Sequence, residues 1–353
     1  MVSQTKPHCP VVGIGASAGG LEALKAFFNL LLPDSGAAFV VIQHLDPNHK
    51  SMTADILSRS TTMPTVEVTD GTAIEANHVY VIPPNHYLKI EDHTLVLSDA
   101  LRRKGLRMPI DAFFWSLAEQ RQHAAVAIIL SGTGSDGSLG LRAVKGNGGL
   151  VIVQDPATAQ YDGMPRSAIA TGMADRVCAI ENMPRELCEY LRHPYIKQPP
   201  IDEDHDQQSL EIEGDKLRFI LSLLQVRTGL DFRAYKSGTL GRRINRRMGL
   251  HRIDTLDEYL KFLKQHPEEP TALIQDLMIG VTAFFRDPEA FAVLEAEAIN
   301  PLIASKTNDD PIRVWIPGCT TGEEAYSIAM LLAEKLKSAD KHCPLQIFAT
   351  DID

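Results

Sequence analysis

Apolar residues in the first 190 positions fall into short solid runs separated by amphipathic stretches. The runs Val11-Val12-Gly13-Ile14-Gly15, Ala37 to Ile42, Ala124 to Leu130 and Leu150 to Val153 carry no polar alternation. That is the pattern of strands buried on both faces of a parallel sheet. Between and after them, Leu21 to Phe28, Asp111 to Arg121, the segment from about Leu139, Pro165 to Thr171 and Pro184 to Leu191 have helical spacing. Strand and helix signals that alternate in this way predict an α/β fold with a doubly wound, mainly parallel sheet. From Thr65 to Ser98 the period shortens. Val66-Glu67-Val68, Val79 to Ile82, Leu88-Lys89-Ile90 and Thr94 to Leu97 are divided by Asp70-Gly71, Pro83-Pro84 and Glu91-Asp92. Short alternating pieces between turn residues predict hairpins at an antiparallel edge.

Pro194, Pro199 and Pro200, followed by Asp202, Glu203, Asp204 and Asp206, break the pattern and read as a linker over 194–208. An all-helical stretch runs from there to about Phe291. A new strand, turn and helix follow at Ile312 to Ile316, Pro317 to Gly322 and Glu323 to Leu336, with a further strand from Leu345. The expected organisation is an α/β domain over 7–193, a linker, an all-α subdomain over 209–291, and the start of a Rossmann-like domain over 292–353. Two strands do not complete such a sheet, so this last domain is expected to be incomplete.

The net charge of -10 over 353 residues argues against general nucleic-acid binding, which draws its affinity from Lys and Arg clusters. The five cysteines, Cys9, Cys178, Cys188, Cys319 and Cys343, are scattered without a C-x-x-C pair. No metal site is expected from them, and a reducing cytoplasm suits them best. No run of about 18 apolar residues is present to span a bilayer, so direct membrane insertion is not expected.

Three short pieces each follow a buried-strand run: Gly15-Ala16-Ser17-Ala18-Gly19, Gln43-His44 and Gly134-Ser135-Asp136-Gly137. Chemistry in open parallel sheets collects at the carboxyl ends of the strands. Ser17 lies in a G-x-S-x-G frame between a strand and a helix, the setting of a nucleophile elbow. A serine hydroxyl needs a neutral imidazole to take its proton, and the imidazole needs a carboxylate to fix its tautomer. Ser17, His44 and Asp136 supply that set, and the N–H of Ala18 and its neighbours can face a developing oxyanion. Each residue alone has a plainer reading: Ser17 as a helix cap, His44 as a strand-end histidine, Asp136 as a turn residue. Gly13-Ile14-Gly15-Ala16-Ser17-Ala18 also satisfies the dinucleotide frame G-x-G-x-x-A. That reading calls for an acid at the tip of the second strand, where this chain has Gln43-His44, and leaves Asp136 unexplained.

Together with Pro83-Pro84 and Leu130 to Gly137, these motifs resemble the catalytic domain of the CheB protein-glutamate methylesterases over about residues 7–193. The resemblance implies hydrolysis of glutamate γ-methyl esters on methyl-accepting receptors, with deamidation of glutamine at the same sites. It assigns the catalytic roles to Ser17, His44 and Asp136 and implies no cofactor for the esterase. Thr133 stands where the family often has methionine. The family usually carries a receiver domain ahead of the esterase, and none is expected in the residues before Pro10. Beyond the linker, Gly229-Leu230-Asp231-Phe232, Tyr235-Lys236 and Arg242 to Met248 resemble the helical N-terminal domain of CheR methyltransferases. Val281 to Asp287, Gly318 to Ser327 and Ala349 to Asp353 resemble the S-adenosylmethionine site of that family. By this resemblance Thr282, Arg286, Glu324 and Asp351 are cofactor contacts, and Gly280 replaces a usual asparagine. The implied partners are methyl-accepting receptors or related signalling proteins. The arginines of 242–247 read either as a solvated face or as a docking surface for acidic receptor helices. Trp315 reads as strand core. The other functional class compatible with these features is a catalytically silent scaffold or sensory adaptor that uses both folds for binding.

Overall fold

The computed structural model describes residues 9–44, 52–99, 107–197, 214–280 and 282–352. The chain divides into two compact units, Met1–Ile279 and Gly280–Asp353. In the first unit the expected doubly wound sheet is built from β1 (Val11–Ala16), β2 (Ala38–Gln43), β3 (Thr65–Glu67), β5 (Val79–Val81), β8 (Ala125–Ile129), β9 (Leu150–Gln154) and β10 (Arg176–Cys178). Their order is β10-β9-β8-β1-β2-β5-β3, and every pairing is parallel. The chain builds outward from β1 in both directions, so the crevice at the carboxyl end of β1 is a topological switch point.

The antiparallel part is a separate small sheet of β4 (Thr72–Ala73), β7 (Thr94–Asp99) and β6 (His86–Glu91). The hairpin reading of Leu88 to Leu97 matches β6 and β7. Val66 to Val68 and Val79 to Ile82 behave differently: their strands β3 and β5 pair parallel to each other at the edge of the main sheet. The sequence pattern shows a strand's length and burial but not its partner. β10, which the pattern missed, has only three residues.

Alternation along β1 sends Val12 and Ile14 into one apolar layer and Val11 into the other. The first layer packs under α1 (Gly20–Leu30), α2 (Thr53–Leu57) and α6 (Met183–Arg192). The second packs under α3 (Pro109–Arg121), α4 (Gly140–Gly146) and α5 (Gly163–Ala170). α3 lies directly on β1. A Cβ at Gly13 would stand 2.9 Å from Phe113, and one at Gly15 would stand 2.6 Å from Ile110. Both glycines therefore sit inside the strand and admit a helix. The first two glycines of a dinucleotide frame belong to the phosphate-facing turn instead.

Pro194–Lys197, expected to open the linker, forms a helical turn with Tyr195 and Ile196 buried. The rest of the expected linker, 198–208, lies outside the described residues. The helices α7 (Gly214–Thr228), α8 (Ser237–His251), α9 (Leu256–Gln265) and α10 (Glu269–Met278) share a core around Ile220, Leu224, Ile244, Tyr259 and Leu273. Thr255 caps α9 by accepting the Glu258 N–H at 3.3 Å, and its hydroxyl donates to the Glu258 carboxylate.

The arginines of α8 follow neither expected reading. Arg243 donates to the carbonyls of Lys145 and Gly146 at the end of α4, at 2.9 and 2.6 Å. Arg246 is fully buried, donates to the Gly149 carbonyl at 3.0 and 2.9 Å, and pairs with Asp175 and Asp276. Lys145 approaches the same two aspartates at 3.3 and 3.6 Å. Burial opposes the Arg246 charge, but Asp175 and Asp276 outweigh it and hold the group above its ordinary value. Arg247 and His251 pair with Glu269, whose carboxyl burial would raise but which these partners draw down to about 2. This helix face is thus closed against the sheet domain.

The second unit holds α11 (Pro288–Val293), α12 (Asn300–Ser305), β11 (Ile312–Pro317), α13 (Glu323–Ser338) and β12 (Leu345–Thr350). β11 and β12 pair in parallel. Trp315, expected in the core, is 68% exposed, because only one face of this two-stranded sheet is covered, by α13 and α12.

Breaking a buried ion pair from one side leaves an uncompensated charge and costs about 3–5 kcal/mol. Arg246→Ala should therefore destabilise the first unit by about that amount in urea unfolding, whereas Arg218→Ala, in an exposed pair, should change it by less than about 1 kcal/mol. Equal small effects would contradict the network.

Candidate active site

Ser17 follows β1 directly and precedes α1. Its N–H donates to the Ser131 carbonyl at 3.1 Å, and its carbonyl accepts the Gly20 N–H at 2.9 Å. Gly19 takes the left-handed conformation, φ 70°, which completes the sharp turn. Gly132 makes room for it. A Cβ there would stand 2.9 Å from the Ser17 Cβ and 2.2 Å from the Met164 sulfur.

His44 reaches the same edge because β1 and β2 run in register, Ala16 opposite Gln43, so the next residues are Ser17 and His44. The His44 N–H donates to the Ala16 carbonyl at 3.4 Å. Asp136 arrives from the other side of β1, beyond β8. Its carboxylate accepts His44 Nε2 at 2.7 Å on Oδ2. The N–H groups of Ile110 and Asp111, in the first turn of α3, donate to Oδ2 and Oδ1, each at 3.0 Å. These are N–H groups that the helix itself leaves unpaired, and Asp136 takes them up. The structure therefore brings His44 and Asp136 into direct contact and puts Ser17 on the strand between those that deliver them. Ser131 is engaged differently: its hydroxyl donates to the Ala18 carbonyl at 3.0 Å and accepts the Tyr161 N–H at 2.9 Å.

Sequence reasoning passed over Asp111. It is fully buried in the first turn of α3, next to the start of α4. Oδ1 accepts the Gly140 N–H at 2.7 Å, while Oδ2 has no hydrogen-bond partner. Burial pushes this carboxyl up to about 6, the Gly140 and Gly137 N–H groups oppose the rise, and the neighbouring Asp136 charge adds to it. The available signal was an acid among apolar residues of a helix, two residues after Pro at the first helical position.

The second unit gathers its predicted residues around a cavity of about 480 Å³, lined by Thr282, Arg286, Glu324 and the turn Gly318-Cys319-Thr320. Asp351 directly follows β12, and its carboxylate accepts the Thr320 N–H at 2.7 Å, which fixes that turn. Gly318 has φ 73° with nothing within 4 Å of where a side chain would stand, so its backbone faces open space. Gly280 is needed for packing, since a Cβ there would stand 2.1 Å from the Thr320 methyl. An asparagine at 280 would displace that turn. Val281 and Asp353, parts of the predicted motifs, lie outside the described residues.

Fold and edge together define a doubly wound α/β protein that presents a serine, a histidine and an aspartate at its switch point. The sequence model of the CheB methylesterase family matches residues 12–187. A putative protein-glutamate methylesterase/protein-glutamine glutaminase of Leptospira interrogans is 37% identical over 171 residues, 48% of this chain and 89% of that protein. The chain belongs to the CheB methylesterase family. Residues 215–278 match the all-alpha domain of CheR methyltransferase and residues 280–353 its SAM binding domain. An uncharacterized 104.1 kDa protein of Rhodobacter capsulatus is 40% identical over 316 residues, 85% of this chain. The chain spans 33% of that protein's length. The crystal structure of the Thermotoga maritima CheB methylesterase catalytic domain aligns at 30% identity and a TM-score of 0.48, covering 52% of this chain and 98% of that one. No helix among the described residues is long and apolar enough to cross a membrane.

A carboxyl whose folded value is raised from 3.8 to about 6 stabilises fully below 3.8, and that stability is lost as pH rises through about 6. Asparagine mimics the protonated acid. Asp111→Asn should gain on the parent protein by about 2–3 kcal/mol between pH 4 and pH 8, at about 1.4 kcal/mol per pKa unit. Urea unfolding at both pH values measures this, and a difference that does not change with pH would contradict the assignment.

Proposed function

We propose that the first unit hydrolyses glutamate γ-methyl esters on methyl-accepting receptors, with Ser17 as nucleophile, His44 as general base and Asp136 as the group that orients His44. The contact between His44 and Asp136, at the edge where Ser17 ends β1, carries this reading. Nε2 of His44 is paired with Asp136, so Nδ1 is the nitrogen left to take the Ser17 proton. The Ser17 oxygen then attacks the ester carbonyl, and the imidazolium gives its proton to the departing methoxide, which leaves as methanol. Water, deprotonated by the same imidazole, cleaves the acyl-enzyme to glutamate. Ser17's own N–H is committed to Ser131, so the Ala18 N–H, at the approach to α1, is the backbone donor assigned to the oxyanion. Deamidation of glutamine follows the same course with ammonia as the leaving group.

The second unit is the start of a methyltransferase of opposite effect. Thr282, Arg286, Glu324 and Asp351 would hold S-adenosylmethionine, with the Gly318 backbone open to its approach. The cofactor would supply the methyl group. An esterase and a methyltransferase on one polypeptide would let a receptor's methylation level be set at one place.

The test is methanol release from methylated receptor. Members of a triad are strongly non-additive, so Ser17→Ala alone should lower turnover by about 10³-fold or more, and adding His44→Ala should change the residue little. Losses that multiply would contradict a common unit. Unchanged turnover in Ser17→Ala would remove the serine mechanism altogether.

A further inference from the structure

A cavity of about 240 Å³ has His44 as part of its wall, and its other lining residues have no part in the triad. Its apolar walls are Ile82, Pro83, Pro84, Tyr87 and Pro109. The rim carries Arg107, which is exposed and anchored by one bond from Nη1 to Asn85 Oδ1 at 3.1 Å. His86, also on the wall, is turned by a 2.7 Å bond between Nδ1 and the Pro84 carbonyl, and its Nε2 stands 3.8 Å from Asp99. Among the described residues, none lining the cavity is acidic, in a chain whose net charge is -10.

Arg107 is also mechanically tied to the candidate triad. It lies two residues before Pro109, the first residue of α3, and the next two N–H groups hold Asp136. A group bound at Arg107 is therefore indexed to the same helix turn that fixes the orientation of His44. A guanidinium presents planar paired donors that match a carboxylate, and the narrow apolar walls suit the methylenes of an acidic side chain.

We infer that this cavity is a carboxylate subsite, in which Arg107 binds an acidic side chain of the substrate polypeptide close to the ester that His44 serves. The inference rests on the esterase reading and deepens it by naming the residue that would recognise an acidic flank of the ester. Arg107 is a binding residue here, with no part in bond making.

The full chain with Arg107→Gln and Arg107→Lys, compared with the parent, tests it on two peptides. Each carries one glutamate γ-methyl ester, flanked in one case by glutamates and in the other by serines. The parent is expected to favour the acidic peptide. In Arg107→Gln the ratio of kcat/KM for acidic over neutral peptide should fall about ten-fold, through KM, with Arg107→Lys in between because it keeps the charge and loses the fork. An unchanged ratio, or a loss carried by kcat on both peptides alike, would overturn the subsite. Binding of the de-esterified acidic peptide to Ser17→Ala, read by fluorescence anisotropy, decides the same point without turnover. There Arg107→Gln should weaken binding about ten-fold, and undiminished binding would overturn the proposal. Absence of hydrolysis in the parent protein alongside Arg107-dependent binding would refute the esterase reading and leave the subsite standing.

Discussion

Asp136 receives two backbone N–H groups from the first turn of α3 and Nε2 of His44, and its oxygens are satisfied by groups from two other parts of the chain. That arrangement sets conditions on the whole first unit. α3 must start at the carboxyl edge, so it must lie flat on β1, which the hydrogen side chains of Gly13 and Gly15 permit. The loop after β8 must pass the end of β1 closely, which Gly132 allows against Ser17 and Met164. The hairpin of β6 and β7 braces α3 from outside: the Ile90 N–H donates to Ser116 and Arg121 donates to the Asp92 carbonyl. Glycine placement, helix packing and carboxylate position are one constraint seen at three scales.

A second set of buried charges joins the four-helix domain to the sheet domain. Arg243 and Arg246 take up carbonyls at the end of α4 and in the turn after it, and Asp175 and Asp276 balance Arg246 from both domains. Such a network specifies one geometry, since an alternative docking would leave several charges buried without partners. The arginine face of α8 is accordingly an internal joint.

The sequence made much of this legible. Solid apolar runs marked the strands, and position alone pointed to Ser17, His44 and Asp136, of which the structure puts His44 and Asp136 in direct contact. Partners distant in sequence were not legible. Arg246 looked like a surface charge because its neighbours in the helix are polar, while its partners Gly149 and Asp175 lie far along the chain. Val66 and Val79 looked like hairpin strands because length and alternation do not reveal a parallel partner across β5. Trp315 looked like core because strand β11 is apolar, although only one face of its sheet is covered. Asp111 escaped because helical periodicity treats an acid among apolar residues as an exception, whereas here it stands behind the carboxylate that meets His44.

The proposed function requires that Ser17, and neither Ser131 nor Ser135, be the activated serine at the edge of β1. Treatment of the full chain with a fluorophosphonate, followed by peptide mapping, tests it most directly. The account expects covalent labelling at Ser17, lost in His44→Ala although Ser17 is still present. Labelling at Ser131 or Ser135, or labelling of Ser17 that persists undiminished without His44, would contradict it.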